Sequence, residues 1–252
     1  VYFLVDHRNV MHVRPALLLL LPLLAALHAA PALAQPAVPD TLERRVAACT
    51  SCHGSQSAAP RQPSAAGPEY FPRIAGKPAG YLYNQLQNFR AGRRQYPLMT
   101  YMVEHMSDDY LREIATWFST QHVPAPVLAR AGLPAGQLER GHELVMRGDA
   151  TLKVPACVAC HGQRLTGALP AIPGLLGLPR DYINAQFGAW RNGTRRAHAP
   201  DCMATIAGRL SLADVAAISG WLASEPVPDD PTPAAGVSHP LPLACGSEPE
   251  RP

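Results

Sequence analysis

Among the 252 residues, six cysteines and ten histidines are the side chains best suited to chemistry, and six of these sixteen share one spacing. Cys49-Thr50-Ser51-Cys52-His53 recurs as Cys157-Val158-Ala159-Cys160-His161. Two thiols one helical turn apart can form thioethers to the two vinyl groups of a haem, and the adjacent histidine then meets the iron from the same side. Composition alone gives roughly 0.006 chance copies of this motif, so two copies in one chain are a strong signal. A thioredoxin-like redox pair would need a strand–helix–strand setting, which the sequence lacks. A shared four-cysteine zinc site would leave both histidines unexplained. The pattern points to two covalently bound haem c groups, attached through Cys49, Cys52, Cys157 and Cys160, with His53 and His161 on the irons.

A sixth ligand decides what such an iron can do. A neutral thioether favours the reduced metal and gives a closed, six-coordinate carrier. Met99 and Met203 are the candidates, each eight residues before a serine that opens an apolar helical pattern, Ser107 or Ser211. The repeat selects Met99 over Met102, which aligns with Ile206, and over Met106, which aligns with Leu210. His105 aligns with Arg209, and His198 falls in an insertion, so neither is repeated.

The elements that position these residues are themselves duplicated. Beyond the motifs, offset by 108, the set Pro72, Gly76, Pro78, Tyr81, Gln85, Arg90 and Gly92 recurs 101 residues later. Met99, Ser107 and Trp117 recur 104 residues later. Order is kept while the offset changes between blocks, as loop insertions would produce. Two homologous halves follow, residues 35–130 and 131–225, and a Pro-rich extended tail, 226–252, with no apolar periodicity. Residues 40–50 and 136–147 read as helices running into the motifs, and 81–90 and 182–191 carry apolar steps of three and four. Final helices follow Ser107 and Ser211, the latter with Asp214 at the capping-box position. No alternating strand stands out, so the expected fold is all-α, twice.

Residues 1–34 read as upstream sequence plus a signal peptide. Arg14 precedes an apolar run, and Ala32-Leu33-Ala34 offers a cleavage site after Ala34. The alternative is an uncleaved membrane anchor, although Pro22 and His28 interrupt the run. Export implies a compartment in which disulfides form. The formal charge is +3 and the longest basic runs are pairs such as Arg93-Arg94, which excludes a nucleic-acid footprint.

These residues together resemble diheme cytochrome c4. The similarity lies in the two Cys-x-x-Cys-His motifs, the Phe71–Lys77 segment, Tyr81…Gln85-Leu86…Phe89-Arg90…Gly92-Arg93, and the Met203…Ala207…Leu210-Ser211 run. It covers nearly the whole of residues 35–252, the chain that would remain after cleavage. The resemblance implies two tandem class I cytochrome c domains about a pseudo-twofold axis, with His53 and Met99 on one iron and His161 and Met203 on the other. It gives Pro72 and Pro173 a role in orienting the histidines, although their spacing from the motifs differs. Lys77 departs from the family, where glutamine is common. Cys202 and Cys245 are also extra: either a disulfide ties the tail to the distal side of the second haem, or both remain thiols. Arg73, Arg90, Arg93, Arg191 and Arg195 are candidates for pairing with haem propionates or are solvated.

The resemblance implies a periplasmic electron carrier in a respiratory chain rather than an enzyme. Its partners would be a redox donor and acceptor, such as a terminal oxidase or a membrane-bound dehydrogenase. The alternative is a cytochrome subunit fixed to such a complex. A diheme peroxidase would need ligand asymmetry between the halves, and both keep a methionine at the same place.

Overall fold

Each half builds helices where the apolar spacing asks for them. The structure is a computed structural model that describes residues 40–54, 71–122, 132–237 and 239–248. The leader expected at 1–34, with its cleavage point, lies outside the described residues, as does the join at 123–131.

In the first half, α1 (Leu42–Arg45) and α2 (Ala47–His53) run almost continuously into the first motif. They are followed by α3 (Ala79–Arg90), α4 (Pro97–Val103) and α5 (Asp108–Ser119). The second half has α6 (Ala135–Met146), α7 (Val158–His161), α8 (Arg180–Arg191), α9 (Cys202–Arg209) and α10 (Leu212–Ser224). Helices α3 and α8 stand 101 residues apart, the spacing of the repeat. Ser107 caps α5 by accepting from Tyr110 N at 3.3 Å. At α10 the box is closed in both directions: Asp214 N donates to Ser211 Oγ at 3.0 Å, and Ser211 N donates to Asp214 Oδ2 at 3.2 Å.

Two details differ from the sequence expectation. Helix α6 stops at Met146 and does not run into its motif, because Asp149 turns the chain. Its Oδ1 accepts from Thr151 N and Leu152 N at 3.0 and 3.1 Å, the side-chain competition that makes aspartate a turn residue. A two-stranded antiparallel hairpin, β1 (Gly167–Ala168) and β2 (Ile172–Pro173), is also present. It is too short to show any alternation in sequence.

Each half has a core of its own. Val46, Leu82, Ile114 and Phe118 centre the first, and Leu144, Val158, Ile183, Ile218 and Leu222 are among those that centre the second. Helices α6 and α10 cross so closely that a Cβ at Gly141 would lie 2.2 Å from Ala217 O. The halves meet through backbone pairing. Gln95 N donates to Thr194 O and Arg196 N donates to Arg93 O, both at 2.7 Å. The offset of 101 maps Arg93 onto Thr194 and Gln95 onto Arg196, so the duplication exchanges the two bonds. That is the signature of a local twofold. The described residues from Thr41 onward belong to one compact unit.

The described part of the tail is packed rather than loose. Ala234 pairs with the hairpin, and Cys202 and Cys245 form a disulfide, one of the two readings left open above. Leu241, Leu243, Cys245 and Ser247 are half-buried and alternate with exposed Pro242, Ala244 and Gly246. This is a period of two, where no apolar periodicity was expected, and Pro240 and Pro242 favour the extended backbone it needs.

Candidate functional site

One cavity of about 1030 Å³ lies between the halves. Both motifs open onto it: Cys49, Cys52 and His53 from α2, and Cys157, Cys160 and His161 from the turn containing α7. Met99 in the first turn of α4 and Met203 in the first turn of α9 also line it. All eight candidates for haem attachment and iron ligation are therefore on the wall of one space. His105 and His198 are exposed and do not line it. Met102 and Met106 do, packed with Met99 around Phe89, Val103 and Leu111. Shape alone therefore leaves three thioethers in the first half, and the repeat is what singles out Met99.

Both histidines are held alike. His53 Nδ1 donates to Pro72 O at 3.0 Å and His161 Nδ1 to Pro173 O at 2.7 Å, across 19 and 12 residues respectively. Different loops thus deliver the same carbonyl. Burial lowers the pKa of both rings, which keeps them neutral. A neutral ring that donates through Nδ1 leaves the Nε2 lone pair for a metal. Burial also raises the thiols of Cys49 and Cys160, and pushes Cys157 up to about 12. Such thiols are poor thiolate ligands, and a thioether needs no charge. Among the described residues, no three His, Cys, Asp or Glu side chains converge on a point where a metal ion could sit. The four motif cysteines thus do not share a zinc site.

The cavity wall is rich in cations. Arg94 and Arg195 reach across the local twofold into the other half. Arg94 donates to Gln85 Oε1 at 2.9 Å, Tyr182 Oη at 3.1 Å and Gln186 Oε1 at 2.7 Å. Arg195, 7% exposed, donates to Gln186 Oε1 at 2.7 Å, Gln85 Oε1 at 3.3 Å and Tyr81 Oη at 3.4 Å. Lys77 Nζ donates to Gly174 O at 2.8 Å, and burial pushes its pKa down to about 8. Arg73 Nη1 and Trp190 Nε1 are buried without a partner. Among the described residues, no carboxylate forms an ion pair with Arg73, Lys77, Arg94 or Arg195. Buried like charges sharing neutral acceptors are costly unless an anion joins them. A haem meets each of these needs: vinyl groups for the thiols, iron for Nε2 and the thioether, and two carboxylates for the cations. The residues present fit the group.

Of the arginines singled out in sequence, Arg73 and Arg195 line the cavity, whereas Arg90, Arg93 and Arg191 do not. Arg90 bonds Met106 O at 2.6 Å and pairs with Asp108. Arg191 bonds Ala207 O and Leu210 O at 3.1 and 2.5 Å. Both tie the end of a methionine-bearing segment to the preceding helix. Arg93 donates to Asn88 Oδ1 at 2.6 Å. Arg94 was missed, although it and Arg195 stand 101 residues apart, in register with the repeated block.

Known proteins agree with this geometry. No protein-family model matches the sequence. Cytochrome c4 of Pseudomonas aeruginosa is 32% identical over 182 residues, spanning 71% of this chain and 85% of that protein. The chain belongs to the cytochrome c4 family. A thiosulfate dehydrogenase electron acceptor of Stutzerimonas stutzeri (strain A1501) is 36% identical over 177 residues, 70% of this chain and 78% of that protein. Reduced recombinant cytochrome c4 from Pseudomonas stutzeri superposes with a TM-score of 0.59 at 29% identity, covering 71% of this chain and 94% of that one. As a cytochrome c4 the protein is a diheme electron-transfer cytochrome built on the class I c-type fold, and cytochromes c4 are electron carriers.

Proposed function

We propose that the protein is a periplasmic carrier that takes single electrons from a thiosulfate dehydrogenase and passes them toward a terminal oxidase. The observation that carries this reading is the single cavity onto which both histidine–methionine sets open. Bound haem supplies an iron that cycles by one electron between two oxidation states. This chain's residues do the rest. Cys49, Cys52, Cys157 and Cys160 would fix the groups by adding S–H across vinyl double bonds, chemistry that needs no oxidant. His53 and Met99 would hold one iron, and His161 and Met203 the other. The apolar wall would exclude water, and Arg94 and Arg195 would be available to the haem carboxylates. Irons held by both a histidine and a methionine would leave no position for a substrate, which supports transfer rather than catalysis.

The boundaries 35–130 and 131–225 are proposed as the two haem domains, with export after cleavage at Ala34. The donor is suggested by the name of the 36%-identical relative. The competing reading, a subunit anchored to a membrane complex, is favoured by the apolar run at 16–27. Among the described residues, no helix is long and apolar enough to cross a membrane.

Stopped-flow mixing tests the proposal. Protein matured with two haems is mixed with a thiosulfate dehydrogenase and thiosulfate, and reduction of both haems is followed by absorbance. Rapid reduction without detergent is the expected result. Failure of that enzyme to reduce the protein, or co-purification only with membranes, contradicts the reading.

A further inference from the structure

We propose that residues 239–248 form a covalent strap that holds Met203 in place over the second haem site, a device that the first site lacks at the equivalent position. The inference rests on Met203 being the ligand proposed above. Cys202, the first residue of α9, directly precedes Met203 and is bonded to Cys245, 43 residues along the chain. In the first half the equivalent residue is Leu98, before Met99, and it is 48% exposed.

The tail reaches Cys245 by a route that encloses the second site. It starts on the side of the proximal histidine. Leu169 N donates to Ala234 O at 2.8 Å and Ala234 N to Gly167 O at 3.0 Å, beside the strand whose Pro173 O holds His161. Arg164 reinforces this start through Asp230 Oδ2 at 3.2 Å and Thr232 O at 3.3 Å. The chain then crosses to the methionine side, where Leu241, Leu243, Cys245 and Ser247 line the cavity. Gly246 N donates to Pro200 O at 2.9 Å. A Cβ at Gly246 would stand 2.2 Å from Ala199 O, so only glycine allows the strap to lie this close. Asn84 Nδ2 of α3 donates to Ser247 O at 3.0 Å, which pins the far end to the other half.

For Met203 to leave an iron, the first turn of α9 has to swing out. With Cys202 tethered, that motion must also pull the strap from Pro200, from Asn84 and from the cavity wall. Local opening is thus coupled to the loss of several independent contacts, which lowers the population of the open form. Leu98 imposes no such coupling on Met99.

Imidazole titration of the ferric holoprotein, which reads displacement of methionine at each haem, tests the strap. In the wild type one haem, assigned to the first site by a Met99→Ala variant, takes imidazole more readily than the other. Replacing both cysteines, Cys202→Ser with Cys245→Ser, is expected to raise the affinity of the second haem on the order of tenfold and leave the first unchanged. The potential of the second haem alone should also fall as its thioether is lost more often. If the double variant matures poorly, the disulfide is opened after folding with a phosphine, the thiols are alkylated, and ferricyanide restores the ferric state for the same titration. Unchanged affinity and potential, in a protein whose Met203→Ala variant does open the second haem, overturn the strap alone. A Met203→Ala variant with unchanged spectrum and affinity overturns the ligand assignment and the strap with it.

Discussion

Lys77 is the residue whose chemistry departs most from its surroundings. It reaches from the first half to Gly174 O in the second, one residue beyond the carbonyl that holds His161. A positive charge there would stabilise the reduced, less positive state of an iron held by His161. Lys77→Gln is expected to keep the hydrogen bond and lower the potential of one haem by about 1 kcal/mol, read by potentiometric titration. Equal shifts in both haems would show that the charge is not local to the second site. Met99 offers a second residue-scale test. Met99→Ala should let the ferrous first haem bind carbon monoxide, whereas Met102→Leu and Met106→Leu should not. The motif residues and both methionines could be singled out in sequence because a spacing and a repeat marked them, and all of them line the cavity. Arg94 was not, because an arginine in a basic pair has no type-specific signal until its partners across the twofold are known.

The elements depend on contacts that can be removed singly. Gly141→Ala puts a Cβ into the α6–α10 crossing and should cost about 2–3 kcal/mol in denaturant unfolding, with haem still attached. Ser211→Ala removes one side of the capping box of α10 and should cost about 1 kcal/mol. Arg140 joins α6 to that cap and to the following turn, through Asp214 at 3.0 Å and Asp149 at 2.9 Å. The hydrogen bond from Arg140 holds Asp149 below the ordinary carboxylate range. Burial opposes the same shift at Asp214, but Ser211 and Arg140 outweigh it. Both groups release protons more readily folded than unfolded. Their contribution is therefore present above about pH 4 and is lost as pH falls through the folded values. Arg140→Met should flatten that acid limb of a stability–pH curve, and an unaltered limb would contradict it. Helices 79–90, 108–119, 180–191 and 212–224 were readable from apolar spacing and serine caps. Helix 135–146 was readable to within a residue, but the turn that separates it from its motif was not, because a turn made by one aspartate leaves the apolar pattern on either side intact.

At the scale of the whole molecule the duplication explains both the symmetry and its failures. Equivalent segments 93–95 and 194–196 pair across the twofold, and the arginines between them reach into opposite halves. The all-α class was readable from helical apolar spacing without alternating strands, and the repeat pointed to two like halves. The joining of both sites into one cavity did not, because a repeat says that two halves are alike and not how they face each other. The tail breaks the symmetry, and its packing was hidden because prolines and small residues read as linker until an inward-facing alternation gives them a wall to line. The most direct test of the account is the absorption spectrum of the ascorbate-reduced holoprotein, recorded with and without carbon monoxide alongside a haem count per chain. Two haems whose spectra do not change with the gas are the predicted result. A single haem, or ready binding at either iron, would contradict the claim that this chain holds two closed irons for electron transfer.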